Sequence, residues 1–287
     1  MPQADSFKLA QFSDIHCGDP RFDAELLGGI IDAINADEPD LVIVPGDLTA
    51  SGYPDEFREA REYLDRLTCP HVAVLIGNHD ARKVGYELFE QSFGDRYRTW
   101  DFSFKVDCDT GVSQNISVIG LDSSKPDLDD GEIGRHRHRW LREHLAEADG
   151  FKLVALHHHL VSIPGTGRER NIVWDAGEIL EILAENNVDL IVAGHKHVPY
   201  VWPTAGMLIV TSGTASTWRT RGFTPPSYNM IEITPDEVIV EIRASRGDHE
   251  PRRLAYPRMP AATRRPIGTG PVGRTLDSVS PPPSATR

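Results

Sequence analysis

Leu75-Ile76-Gly77-Asn78-His79-Asp80 ends a strand on chemistry. The apolar run 72–76 reads as a buried strand, and it stops at a glycine followed at once by an amide, an imidazole and a carboxylate. Such an ending delivers polar, metal-capable side chains to one edge of a sheet. Four other apolar runs end alike, at Asp14-Ile15-His16, at Gly46-Asp47, at His157-His158-His159 and at Gly194-His195-Lys196-His197. Each cluster alone reads equally well as turn chemistry or a capped loop. Five of them at five strand ends in one chain do not.

The surrounding pattern supplies the sheet. Residues 7–13 alternate as a strand, and 26–34 carry Leu26, Leu27, Ile30, Ile31 and Ile34 at helical spacing. A buried strand follows at 41–44, a helix at 54–67 with Phe57, Ala60, Tyr63, Leu64 and Leu67 on one face, then the strand into Gly77. Strand, helix, strand, helix, strand predicts a parallel sheet with crossover helices, whose ligands gather beyond the carboxyl ends of the strands. Beyond it come a short helix at 86–92, adjacent strands at 98–106 and 116–121, a helix at 135–148, a strand at 151–156, a helix at 174–185 and a strand at 188–193. Three closely linked strands, 207–211, 228–233 and 238–243, predict a second, largely antiparallel half. The expected fold class is α/β, a four-layer α-β-β-α sandwich of two packed mixed sheets flanked by helices. Residues 1–250 form the functional domain in this reading. Residues 251–287, rich in proline and arginine and poor in large apolar groups, are expected to be a disordered tail.

Composition narrows the class. The chain has 287 residues, 39% of them hydrophobic, enough for one large core. No apolar run approaches the roughly 20 residues needed to cross a bilayer, and Met1-Pro2-Gln3-Ala4-Asp5 does not open a signal peptide. Cys17, Cys69 and Cys108 are odd in number and far apart, which suits a reducing cytoplasm. A net charge of −13 disfavours a broad grip on nucleic acid. A homodimer is compatible with the sequence.

The clusters together offer at least two carboxylates, an amide oxygen and four or more imidazoles. Mixed nitrogen and oxygen donors suit Mn, Fe or Zn better than Ca or Mg. The expected cofactor is therefore a pair of divalent or mixed-valence first-row metal ions. Two such ions sit about 3.5–4 Å apart in hydrolytic sites and need a shared carboxylate. Asp47 is the natural bridge, because its strand should lie between the first and third. A water or hydroxide held by the ions then becomes the nucleophile at neutral pH.

In their order, Asp-x-His, Gly-Asp, Gly-Asn-His-Asp, a strand-terminal histidine run and Gly-His-x-His resemble the calcineurin-like metallophosphoesterase superfamily, over roughly residues 7–243. Asp14-Ile15-His16, Gly46-Asp47-Leu48-Thr49, Gly77-Asn78-His79-Asp80-Ala81-Arg82 and Gly120-Leu121-Asp122-Ser123 resemble its cyclic-nucleotide phosphodiesterase and glycerophosphodiesterase branch. The resemblance implies one ion on Asp14, His16, Asp47 and His197, and a second on Asp47, Asn78, His157 and His195. It implies that His79 meets the phosphate and aids the leaving oxygen, with Asn78 and Asp80 as its catalytic neighbours and Asp80 orienting the ring. Branch members read His-His-Pro where this chain has His157-His158-His159, and His157 is taken as the ligand. Arg82, His158 and Lys196 are candidate phosphate contacts. The implied substrate is a small phosphodiester. A monoester, a pyrophosphate or a non-catalytic scaffold are the alternatives, and the links 122–134, 164–171 and 212–226 are the expected pocket rim.

Overall fold

The computed structural model describes residues 6–107, 112–166, 172–221, 224–246 and 249–259. Cys108, residues 167–171 of the expected rim and residues 260–287 of the expected tail lie outside them. The chain opens with β1 (Phe7–Gln11), α1 (Ala24–Asp37), β2 (Leu41–Pro45), α2 (Pro54–Leu64), β3 (Val72–Leu75) and α3 (Gly85–Phe93). It continues with β4 (Arg98–Asp107), β5 (Val112–Leu121), α4 (Arg135–Glu147), β6 (Phe151–Leu156), α5 (Ala176–Glu185) and β7 (Leu190–Ala193). It closes with β8 (Tyr200–Thr204), β9 (Met207–Thr211), β10 (Ser227–Ile233), β11 (Glu237–Ala244) and β12 (Arg252–Pro257).

Two six-stranded sheets result, ordered β12-β11-β10-β1-β2-β3 and β4-β5-β6-β7-β9-β8. Leu9, Leu41, Ile43 and Leu75 point between them and meet Val118, Leu153, Leu190, Val192 and Val210 of the other sheet. Their neighbours in sequence, Ala10, Val42 and Val44, point outward onto Leu27, Ile30 and Ile34 of α1 and Phe57 and Ala60 of α2. On the other side, Ile119, Val154 and Ile191 lie under Leu141 and Leu145 of α4 and Ile179 and Leu183 of α5. Strands covered on both faces read as unbroken apolar runs, the pattern seen in 41–44 and 190–193. The four expected layers are therefore present.

The C-terminal strands depart from expectation. They do not form a second antiparallel half. β9 joins the second sheet parallel to β7, while β10 to β12 return to the first sheet, with β10 antiparallel to β1. Short links serve a chain that hops between stacked sheets as well as one that forms hairpins. Nor does the folded part stop at 250. Arg252–Pro257 pairs along β11 as an edge strand, with Leu254 and Tyr256 half-buried and Arg253 and Ala255 exposed. Edge strands tolerate proline and charge, which is why this segment resembled a tail.

One polar tie crosses the apolar interface. Gln11 Nε2 donates to Ala193 O at 2.9 Å and to Val210 O at 3.3 Å, and Asn229 Nδ2 donates to Gln11 Oε1 at 3.0 Å. This locks β1 and β10 against β7 and β9 at the end of the sheets where the polar clusters emerge.

Candidate metal centre

β1, β2 and β3 run parallel in one sheet, β6 and β7 in the other, so their carboxyl ends can share one side of the molecule. Asp14, His16, Asp47, His195 and His197 all have left-handed backbone, with φ of 56°, 55°, 54°, 74° and 57°. Such φ values are costly for residues other than glycine and persist only where surroundings over-determine them. Here the loops are laced together. Asp14 N donates to Gly46 O at 3.1 Å, His16 N to Asp47 O at 3.0 Å and Gly194 N to His157 O at 3.0 Å. The turns also explain the spacing: His16, His195 and His197 line the cleft and Asp14 joins their donor set, while Ile15 and Lys196 between them do not.

The donor atoms converge in two sets. In the first, His197 Nε2 lies 3.2 Å from Asp14 Oδ1 and 3.1 Å from His16 Nε2. In the second, Asn78 Oδ1 lies 3.1 Å from His157 Nε2 and 3.0 Å from His195 Nδ1. Asp47 Oδ2 faces both, 3.8 Å from His16 Nε2 and 3.3 Å from His157 Nε2. Asp47 Oδ1 instead accepts from the His79 backbone N–H at 2.9 Å.

The protonation of these groups calls for a cation. His157 Nδ1 meets Pro45 O at 2.6 Å and His197 Nδ1 meets Arg219 O at 2.6 Å. A carbonyl only accepts, so each Nδ1 carries a proton, and in the neutral form of such a ring Nε2 turns its lone pair inward. Those lone pairs face carboxylate and amide oxygens, acceptor against acceptor. Burial lowers the basicity of His157, but Asp47 beside it holds the group up at about 9, so positive charge is favoured at that point. Burial pushes His16 down to about 3, leaving it a neutral donor. Burial would raise Asp47, yet His157, His79 and His16 around it hold the carboxyl well below its ordinary range. Buried nitrogen and oxygen donors, converging where positive charge is favoured, fit borderline first-row cations.

Each remaining candidate has a definite place. His79 is half-buried and its Nδ1 donates to Ala50 O at 2.6 Å, so its Nε2 points into the cleft. Asp80 does not orient that ring, contrary to expectation. It is fully buried and accepts from the N–H groups of Leu48, Thr49 and Gly77 and from the Thr49 hydroxyl. It thereby pins the β2 and β3 exits together, and a backbone carbonyl holds His79 in its stead. Arg82 lines the cleft as expected, bonded to Ala50 O and to Asp129. His158 and Lys196, also expected at the phosphate, are buried at 0% and 3% exposure and do not line the cleft. His158 is turned away from it by Ser123 Oγ at 2.9 Å and Asp129 O at 3.2 Å.

Sequence reasoning missed Asp129, whose Oδ1 accepts from Asn78 Nδ2 at 3.2 Å and so fixes which end of the amide faces the donor set. It also left Arg21, Arg219 and Arg221 unnamed, although Asp129, Arg219 and Arg221 fall in the links 122–134 and 212–226 expected at the rim; the three arginines line a cleft of ≈ 400 Å³ above the two sets. These residues sit on irregular loops, where no periodicity marks an inward face.

Gly77 shows how tight the centre is. A Cβ there would stand 2.2 Å from Asp47 Oδ1 and 2.3 Å from Asp47 N. Gly77→Ala must therefore displace Asp47, and overpacking of this kind costs about 1–3 kcal/mol. The expected result is a lower melting temperature together with a loss of metal bound per chain. Metal content equal to the unsubstituted protein would contradict it.

A family profile described as "Calcineurin-like phosphoesterase" matches residues 7–199. Among curated relatives, a probable cyclic nucleotide phosphodiesterase of Synechococcus sp. is 26% identical over 241 residues, covering 80% of this chain and 89% of that protein. A glycerophosphodiester phosphodiesterase of Enterobacter lignolyticus is 28% identical over 206 residues, covering 68% of this chain and 67% of its own. Among solved structures, a purple acid phosphatase from yellow lupin seeds superposes with a TM-score of 0.65 at 12% identity, over 89% of this chain and 54% of that one, which shows a shared fold. Strand-end donors, their convergence and the extent of the family match agree: the chain belongs to the calcineurin-like phosphoesterases and is a metal-dependent phosphoesterase.

Proposed function

We propose that the chain hydrolyses small phosphodiesters at a dinuclear metal centre. The observation that carries this reading is the position of Asp47 Oδ2, 3.8 Å from His16 Nε2 in one donor set and 3.3 Å from His157 Nε2 in the other. Asp14, His16, Asp47 and His197 would hold one first-row ion, and Asp47, Asn78, His157 and His195 the second. Mn, Fe and Zn suit this donor set. When bound, the ions polarise phosphoryl oxygens and lower the pKa of a coordinated water to near neutrality.

The protein's own groups do the rest. Asp129 holds the Asn78 amide with its oxygen toward the second donor set, since the same carboxylate takes the amide N–H. The Ala50 carbonyl fixes the His79 ring, so that its Nε2 meets the phosphate and, in the imidazolium form, donates toward the leaving oxygen. Arg82 reaches within 3.4 Å of that nitrogen and supplies a guanidinium to the same oxygens. A cleft of ≈ 400 Å³ suits a small diester. The substrates named for the two curated relatives, cyclic nucleotides and glycerophosphodiesters, support a diester over a monoester.

Chelator-treated protein, reloaded separately with Mn, Fe and Zn, should hydrolyse bis(p-nitrophenyl) phosphate only after reloading, and faster than p-nitrophenyl phosphate. Turnover indifferent to the chelator would overturn the reading. Faster turnover of the monoester would replace it with a phosphomonoesterase.

A further inference from the structure

We infer that the His16–His197 side of the cleft binds a second anionic group of the substrate, apart from the phosphate that is cleaved, through Arg21 and Arg221. This rests on the phosphodiesterase reading and adds the substrate class: small diesters whose non-leaving arm carries its own carboxylate or phosphoryl group.

The charge pattern is the first observation. The chain carries −13 overall. Yet apart from the donor sets, the charged residues lining the cleft are four arginines, Arg21, Arg82, Arg219 and Arg221, against the single carboxylate of Asp129. Two of these guanidinium groups have internal work. Arg82 pairs with Asp129 at 3.2 Å and Arg219 with Asp19 at 3.1 Å. Arg21 and Arg221 are exposed, and among the described residues no carboxylate lies within ion-pair distance of either. In an acidic protein, two uncompensated guanidinium groups on the wall of one cleft raise the local concentration of anions there.

Placement is the second observation. The loop bearing Arg219 and Arg221 is tied to the metal-facing histidine, because Arg219 O accepts from His197 Nδ1 at 2.6 Å. The loop bearing Arg21 is tied to the other, because Asp19 N donates to His16 O at 3.0 Å. The loops are also tied to each other, through Asp23 N to Ser216 O at 2.7 Å and a bridge between Phe22 and Thr217. Both arginines are thus on loops tied to the His16–His197 donor set, whereas Arg82 and Asp129 are bonded to each other and Asp129 to Asn78 of the other set. A phosphate seated over the two donor sets would present one ester arm to this wall. Guanidinium forks match carboxylate and phosphoryl oxygens alike, and neither cationic nor neutral arms would gain from them.

Three synthetic diesters test this, p-nitrophenyl ethyl phosphate and its 2-carboxyethyl and 2-phosphonoethyl counterparts. They share the scissile bond and leaving group and differ only in the second anion. The metal-loaded protein should favour the two anionic esters in kcat/KM by about tenfold, the worth of one or two partly exposed ion pairs, with the difference in KM. In the double variant Arg21→Ser, Arg221→Ser the preference should fall below about threefold. Raised salt should weaken it in the unsubstituted protein, because the groups are solvent-exposed. Equal kcat/KM for all three esters, or a preference unchanged in the double variant, overturns the inference while leaving the phosphodiesterase reading intact. No turnover of any ester removes both. A gain with the phosphonate alone would narrow the substrate class to those bearing a second phosphoryl group.

Discussion

Asp47→Asn should leave a folded protein that binds fewer metal ions and, on the dinuclear phosphodiesterase reading, turns over at least about 10³-fold more slowly, because several kcal/mol of charge stabilisation would depend on the ions it joins. The size of the effect follows from position. Asp47 Oδ2 faces both donor sets, and an amide of the same shape could not neutralise two cations. The variant must be separated from simple misfolding, and melting curves of the metal-free proteins do that, with two opposed charge effects to weigh. Burial, and then the charge of Asp47, raise Asp80 from 3.8 to about 6. A carboxyl whose pKa is higher folded than unfolded costs stability as pH rises from 3.8 to about 6, and the cost persists above that range. Removing the Asp47 charge relieves part of it. Against that relief stands the loss of the pairing that holds Asp47 low and His157 at about 9, so the chelator-treated variant should still unfold in one transition at pH 7.5, at or below the temperature of the chelator-treated parent. The parent gains stability when metal is added, about 2.7 kcal/mol at 100 times Kd, and the variant should gain much less. Metal per chain by elemental analysis, with melting curves before and after loading, gives both answers. Two ions bound by the variant would refute the bridging role.

The donor residues were legible because parallel strands make them so. A strand buried on both faces must be apolar along its length, so 41–45 and 190–193 stand out, and the first polar residue after each is at the carboxyl edge by topology. Asp14, His16, Asp47, Asn78, His157, His195 and His197 were all found on that logic, and the structure brings them together. What failed lacks such a signal. Asp80 stands next to His79 in sequence, yet its partners are mostly backbone N–H groups, 31 and 32 residues away or across its own turn, and backbone groups have no residue identity to read. The Ala50 carbonyl that orients His79 is invisible for the same reason. Lys196 was placed at the phosphate by proximity in sequence, but the left-handed turn at His195 and His197 sends the residue between them inward. Asp129, Arg21, Arg219 and Arg221 belong to loops, where nothing but the folded structure specifies direction.

His79→Asn should keep the bound metal and lose about 10²–10⁴-fold in kcat, the range for a positioned general acid or base. The separation is possible because the two halves of His79 do different things. Its backbone N–H donates to Asp47 Oδ1 at 2.9 Å, and a side-chain substitution preserves that bond and the position of the bridge. Its ring is held by Ala50 O through Nδ1, and only Nε2 reaches the cleft. The loss should also depend on the leaving group. A p-nitrophenolate departs with little help, whereas an alkoxide needs a proton as the bond breaks. A paired series of aryl and alkyl diesters should thus show the larger loss for the alkyl members. An equal loss across the series would mean that His79 stabilises charge on phosphorus and transfers no proton. Metal loss in the variant would mean that the ring, within reach of His16 and Asp47, is itself a ligand.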